Sequence, residues 1–180
     1  EVDAFLESVR ALTEQLGDAG LFDDLDEVAL QVDADEVHYP LHIMLRTRME
    51  RDLISGALDP SDVPEVWNAG MTELVGITPG DDGIGCLQDI HWASGLFGYF
   101  PTYSLGALAA AQLFRAVREQ VPQMMTGLAN GDFSLLLAWL RENVHGKGAL
   151  LSTQELLRQA TGAPLGTQAF EAHLEQRYLG

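Results

Sequence analysis

The sequence predicts an all-α chain, on three observations. Apolar residues recur at three- and four-residue spacing in segment after segment. Glycines and a capping box stand where those segments stop and start. Against this, only Val28–Val32 alternates, weakly, as a short strand would.

Taken in order, Phe5, Val9, Leu12 and Leu16 predict a helix over 3–16, with Gly17 as its stop. An acidic connector over 17–29 follows, containing Leu21, Phe22 and Leu25. Asp33 and Glu36 make a capping-box-like start for the next helix. Its apolar stripe of Val37, Leu41, Met44, Leu45, Met49, Leu53 and Ile54 continues to Ser55, and Gly56 ends it. Pro40 lies inside this pattern and predicts a kink near Glu36. A turn over 57–63 leads to a helix from Pro64 to Val75, with Trp67, Met71 and Leu74 inward and Gly76 at its end. Residues 77–84 read as a loop. A long helix starts at Pro101 or Thr102 and runs to Gln120. Its Gly106, Ala107, Ala109, Ala110 and Ala111 predict close approach of another helix. Further helices are predicted at 122–129, 133–144, 153–160 behind the Ser152/Glu155 capping box, and 167–179.

The 180 residues are enough for one domain with a real core, and 47% hydrophobic content is that of a globular chain. A net charge of −17 with Lys147 as the single lysine argues against nucleic acid or an anionic membrane as partner. No apolar run reaches membrane-spanning length. Eight acids fall between Asp18 and Glu36, which reads as a solvated face; a calcium loop would need a glycine and a terminal glutamate missing here. The lone cysteine, Cys86, excludes an internal disulfide, suits a reducing cytoplasm and reads as buried filler. A start at Glu1 without methionine is the start expected of a fragment.

The chemistry concentrates in Gly85–Gly106. Gln88, Asp89, His91, Trp92, Tyr99, Phe100 and Tyr103 fall within sixteen residues, interrupted by Gly95, Gly98 and Pro101. No charged residue occurs between His91 and Arg115, which predicts burial with polar groups satisfied inside. His91 between Asp89 and Trp92 is the best single candidate. A carboxylate can fix its tautomer and the aromatic wall can limit water; the competing reading is a structural histidine. Tyr99 and Tyr103 can each donate a phenolic proton, but Pro101 between them predicts that only one faces the groove. Asp89 reads as a support for His91 or a cap, and Gln88 as a holder of loop backbone. His38 and His42 have metal-ligand spacing, yet HYPLH lacks the glutamate of HExxH, so no stoichiometric zinc site is expected from them. Arg46, Arg48 and Arg51 offer cations for a carboxylate; alternatively they are surface partners of Glu50 or Asp52.

Gly85, Gln88, Asp89, His91 and Trp92 reproduce the GxxQDxHW signature of the carboxypeptidase Taq family of zinc metallocarboxypeptidases. FGYFPTYSLG after it, DADEVHYPLHIMLR before it and DFSLLLAWLRENVH beyond also resemble that family, across nearly the whole chain. The resemblance matches only the C-terminal part of such an enzyme. It implies a multi-helix array from a larger helical metallopeptidase, in which residues 1–180 form a single substrate-groove region. It implies catalytic roles for His91, Tyr99 and Tyr103 near the scissile carbonyl, and substrate contacts for Arg46, Gln31 and Gln88. Asp89 and Trp92 would support His91. It also implies zinc or another divalent metal, a peptide C-terminus as substrate and a homodimer. The family's HExxH helix and completing glutamate lie upstream and are absent from this chain, so no metal ligand is assigned here and the chain alone is expected to be inactive. One departure stands out: Gln31 occupies the arginine position of the IRxxAD signature, while Ala34 and Asp35 match it. If that arginine holds the substrate carboxylate, losing one charge-assisted hydrogen bond costs about 1.5–3 kcal/mol. Gln31 therefore keeps a second reading open, that of a stand-alone acidic helical module binding peptides or partner chains. A small metalloprotein built on His38 and His42 is a third.

Overall fold

The computed structural model describes residues 36–88 and 90–179, with Ala11 and Gln15 ahead of them. The predicted helix over 3–16 (apart from those two positions), the acidic connector, the Val28–Val32 strand, Asp33, Gln31 and Asp89 lie outside the described residues. Among the described residues there are seven α-helices and no strand: α1 His38–Ser55, α2 Val63–Val75, α3 Pro101–Gln120, α4 Met124–Ala129, α5 Ser134–Asn143, α6 Thr153–Thr161 and α7 Gln168–Tyr178. None is long and apolar enough to cross a membrane. The contacts divide the chain into two units, the boundary falling after Ser104 within α3 and before Leu174 within α7.

In the first unit α1 starts later than the sequence predicted. Glu36 and Val37 form a turn, and the first helical residue is His38. Pro40 therefore falls in the first turn, where an amide has no intrahelical acceptor in any case, so its missing donor costs nothing there. Gly56 and Gly76 end α1 and α2 in the left-handed conformation, at φ 75° and 81°. The two helices pack through Met44, Leu45, Met49, Trp67, Met71 and Leu74, all buried. Close approach is secured by Gly70, where any added Cβ would run into the Leu45 side chain. At the C-terminal end of the unit, Arg177 pairs with Glu36 and Tyr178 donates to the same carboxylate at 3.4 Å.

The second unit is built on Ala116, Val117, Met124, Trp139 and Ala160, with Leu113, Val121, Leu128, Leu136, Leu140 and Val144 around them. Polar side chains lock its helices together. The Trp139 indole donates to Gln120 Oε1 at 2.7 Å, and Gln120 Nε2 donates to the Ala160 carbonyl at 3.3 Å. Gln112 Nε2 lies within donor reach of Thr161 Oγ1, Ala163 O and Pro164 O, and its Oε1 accepts from the Gly166 amide. Ser152 caps α6 by accepting from the Glu155 amide, as its capping box predicted. Among the described residues, the close helix approach predicted for the small-residue face of α3 is not seen at Gly106 or Ala110, while Ala107, Ala109 and Ala111 are half-buried. Gly106 has open space where a Cβ would stand and Ala110 is exposed; the buried face is Leu108, Gln112, Ala116 and Val117.

Candidate active-site wall

The site belongs to the first unit and starts from α1. Positions 38, 42, 46 and 50 lie one helical turn apart, so His38, His42, Arg46 and Glu50 form one stripe, and all four are buried. Burying charge is costly without partners, and the partners define the site. Arg46, 5% exposed, stands over the Trp67 ring at 4.5 Å and the Phe100 ring at 5.2 Å. Its Nη1 donates to His42 Nδ1 at 3.2 Å and to the His42 carbonyl at 3.3 Å. A guanidinium can only donate, so His42 Nδ1 is the acceptor in this pair. Glu50, 4% exposed, accepts from the Trp92 indole at 2.9 Å and from the Gly98 amide at 3.1 Å. The sequence offers Glu50 or Asp52 as alternative surface partners for an arginine, and Glu50 is not one of them. That pairing exists instead between exposed Arg51 and Asp52, at 3.7 Å.

Residues 77–88 and 90–100 form turns, bends and irregular backbone with no helix among them. They carry His91, whose Nε2 is 3.0 Å from Tyr103 Oη. The imidazole also packs at 4.5 Å from the Phe100 ring and 5.8 Å from the Tyr99 ring. Both tyrosines thus meet His91, and their own rings lie 5.3 Å apart, edge to face. The expectation that only one faces this side assumed that Pro101 breaks a helix between them. Tyr99 precedes α3 altogether; its carbonyl accepts from the Thr102 amide and hydroxyl, and that turn brings its ring back over Tyr103.

Tyr39, a residue the sequence reading did not single out, meets Tyr103 edge to face at 6.0 Å. Its phenol is pushed up, first by burial, then by neighbouring Tyr103, with the Arg46 charge partly offsetting both. The sequence marks Trp67 only as an inward residue, Phe100 only as one ring of the shared stretch and Glu50 only as a candidate surface partner. The available signal was the spacing of polar residues at 38, 42, 46 and 50 inside an otherwise apolar stripe.

Burial of the whole stretch is not what the structure gives. Among the described residues of Gly85–Gly106 only Gly85, Cys86 and Phe100 are buried. Leu87 and Ile90 are 71% and 73% exposed, and Leu96, Phe97 and Tyr99 more than 40%. The absence of charge marks an exposed apolar flank rather than a covered core. Gln88 does not hold loop backbone with its side-chain amide: its Nε2 is buried and has no partner. Cys86 fits its filler reading, since burial, then Asp82, pushes its thiol up and away from thiolate. Asp89 lies outside the described residues, and so does Gln31.

Among the described residues, no group of three or more His, Cys, Asp or Glu side chains converges as a metal would require. His38 and His42 do not make up the shortfall, since the Nδ1 lone pair of His42 faces the Arg46 cation. The described residues do not fit a catalytic metal of their own.

The family model described as carboxypeptidase Taq (M32) metallopeptidase matches residues 20–178. Thermostable carboxypeptidase 1 of Thermus thermophilus is 37% identical over 98% of this chain and 36% of its own length. Carboxypeptidase 1 of Bacillus subtilis is 39% identical over 83% of this chain and 30% of its own. Among solved structures, Trypanosoma cruzi metallocarboxypeptidase 1 superposes with a TM-score of 0.80 at 45% identity, over 87% of this chain and 33% of that one. The M32 carboxypeptidase of Deinococcus radiodurans gives 0.78 at 35% identity, over 82% and 30%. The chain spans about a third of the length of the curated relatives it matches. It belongs to the carboxypeptidase Taq (M32) family of metallopeptidases.

Proposed function

We propose that this chain forms one wall of the substrate groove in a metal-dependent carboxypeptidase that removes single residues from peptide C-termini. The observation that carries this is the His91–Tyr103 pair at 3.0 Å on an exposed, ring-lined flank. When His91 Nε2–H donates to Tyr103 Oη, the phenol keeps its own proton to donate where charge develops on a scissile carbonyl, which stabilises an oxyanion. His91 and Tyr103 take that role, with Tyr99 closing the same side. Arg46 supplies the positive charge for the substrate's terminal carboxylate. Rings on two faces keep water from it, so its field reaches further than that of a solvated arginine. The buried, unpartnered Gln88 Nε2 is a donor that a peptide oxygen would satisfy. Asp89 and Trp92, beside His91 in the sequence, take the role of supporting it.

Zinc or another divalent metal polarises the carbonyl when bound, and its ligands come from the remainder of a longer polypeptide, of which this chain is the C-terminal part. The exposed flank of Leu87, Ile90 and Phe97 supports a surface that other protein covers, whether that remainder or a second copy in a homo-oligomer. The cytoplasm is the expected compartment. A second reading, a peptide-binding module without catalysis, is favoured by one position alone: Gln31, uncharged where the family carries arginine.

The intact gene product, supplied with zinc, tests the first reading. It should release single residues from peptides with free C-termini and spare the same peptides as C-terminal amides. Peptide binding without hydrolysis would select the module instead.

A further inference from the structure

One side chain ties the His91–Gly98 turn to α1. Glu50 is a charged residue of a type rarely buried unless paired, and both its oxygens are engaged by that turn. The donors, Trp92 Nε1 and the Gly98 amide, lie 42 and 48 residues further along the chain. Between them the turn closes on itself. The Leu96 amide donates to the His91 carbonyl at 2.9 Å and the Gly95 amide to that of Trp92 at 3.0 Å. The Trp92 and Phe97 rings stack at 6.5 Å with planes 13° apart. Gly98 sits at φ 75°, a conformation that admits glycine without strain and here turns its amide toward Glu50. His91 immediately precedes the first anchor and Tyr99 immediately follows the second. Fixing 92 and 98 therefore fixes the bearing of the two rings that meet Tyr103.

We infer that Glu50 is the positioning residue that sets His91 and Tyr99 against Tyr103, through its two-point hold on Trp92 and Gly98. The structural part of this inference stands on the chain alone; its kinetic consequence rests on the proposed groove. Glutamine is the sharp probe. It keeps the shape but presents an NH2 where one oxygen was, so it accepts from one anchor and opposes the other.

The 15N-labelled chain carries three indole N–H groups, of Trp67, Trp92 and Trp139, and Trp92→Phe assigns the middle one. In Glu50→Gln the Trp92 indole proton is expected to exchange with solvent about tenfold faster or more, and the His91 ring nitrogens to lose their hydrogen-bonded signature, while the Trp67 and Trp139 signals stay in place. In the zinc-loaded peptidase the same variant should lower kcat about tenfold or more with KM changed less than about twofold, as misplacement of reacting groups does. In a Trp92→Phe background Glu50→Gln should cost less, because its one oxygen can then serve Gly98. Unmoved Trp92 and His91 signals in a folded Glu50→Gln chain would overturn the inference, as would equal costs in the two backgrounds. Should the glutamine variant fail to fold, Glu50→Asp decides in its place: its shorter side chain cannot span both anchors, and unmoved signals there overturn the inference equally. If the signals move and the zinc-loaded protein hydrolyses nothing, the positioning role stands and the peptidase reading fails.

Discussion

Two glutamines in different units of this molecule show what a buried amide is for. Gln112 in the second unit has a partner for every polar atom, nearly all of them backbone groups of residues 161–166. It closes a structure and leaves nothing to offer. Gln88 in the first unit has a buried Nε2 with no partner, among turns whose apolar side chains stand in solvent. An unmatched buried donor costs about 1–3 kcal/mol, and a fold tolerates it where something else supplies the acceptor. The second unit reads as scaffold. The first reads as a surface that awaits company.

Breaking the scaffold should give the largest stability loss. Trp139→Ala removes a buried ring from the second core and its bond to Gln120, and should destabilise the chain by about 3–5 kcal/mol in urea melts. The glutamines sharpen the contrast directly. Gln112→Leu leaves the Gly166 amide and neighbouring carbonyls unmatched, and should cost about 1–3 kcal/mol for each group that water does not reach. Gln88→Leu removes a donor that was never paired, so it should cost no stability and should raise it by up to about 1–3 kcal/mol in the same melt. In the peptidase Gln88→Leu should raise KM about tenfold, the loss of one substrate hydrogen bond. A Gln88 variant as damaging to stability as the Gln112 one would erase the distinction between the two units.

A smaller effect lies at high pH. Burial holds the Tyr39 phenol above its ordinary value of 10.0. The folded state therefore keeps that proton longer than the unfolded state. The corresponding stability is intact below about 10 and is lost as pH rises through the folded value. Tyr39→Phe should flatten the alkaline limb of the stability profile while leaving the neutral region unchanged. Smallest of all is Arg51→Ala, which breaks an exposed pair at 3.7 Å and should shift stability by less than about 0.5 kcal/mol.

Local signals made the helices legible. The ends of α2 through α7 fall within two residues of their predicted positions, because Gly76, Pro101 and the Ser152/Glu155 box act on neighbouring backbone. The start of α1 was misread because the Asp33/Glu36 pair looked like a capping box, which put Pro40 in the interior; in the first helical turn the same proline is harmless. The site was legible as a list of residues but not as an arrangement. His91, Tyr99 and Tyr103 stand together, where Pro101 had pointed to only one tyrosine on that side. The edge of Tyr39 against Tyr103 spans 64 positions of sequence and the Glu50 hold spans 42 and 48; no periodicity records such pairings. Exposure was misread for a related reason. Uncharged, ring-rich sequence looks the same whether its own chain covers it or another surface does.

The central claim is that His91 and Tyr103 face a substrate carbonyl from an open wall. Turnover of a C-terminal dipeptide bond by the zinc-loaded peptidase, with His91→Ala against the unaltered protein at equal metal content, tests it most directly. The account predicts a loss of about a hundredfold or more in kcat, the magnitude of removing one oxyanion donor. Unchanged kcat with a folded, metal-replete variant would contradict it.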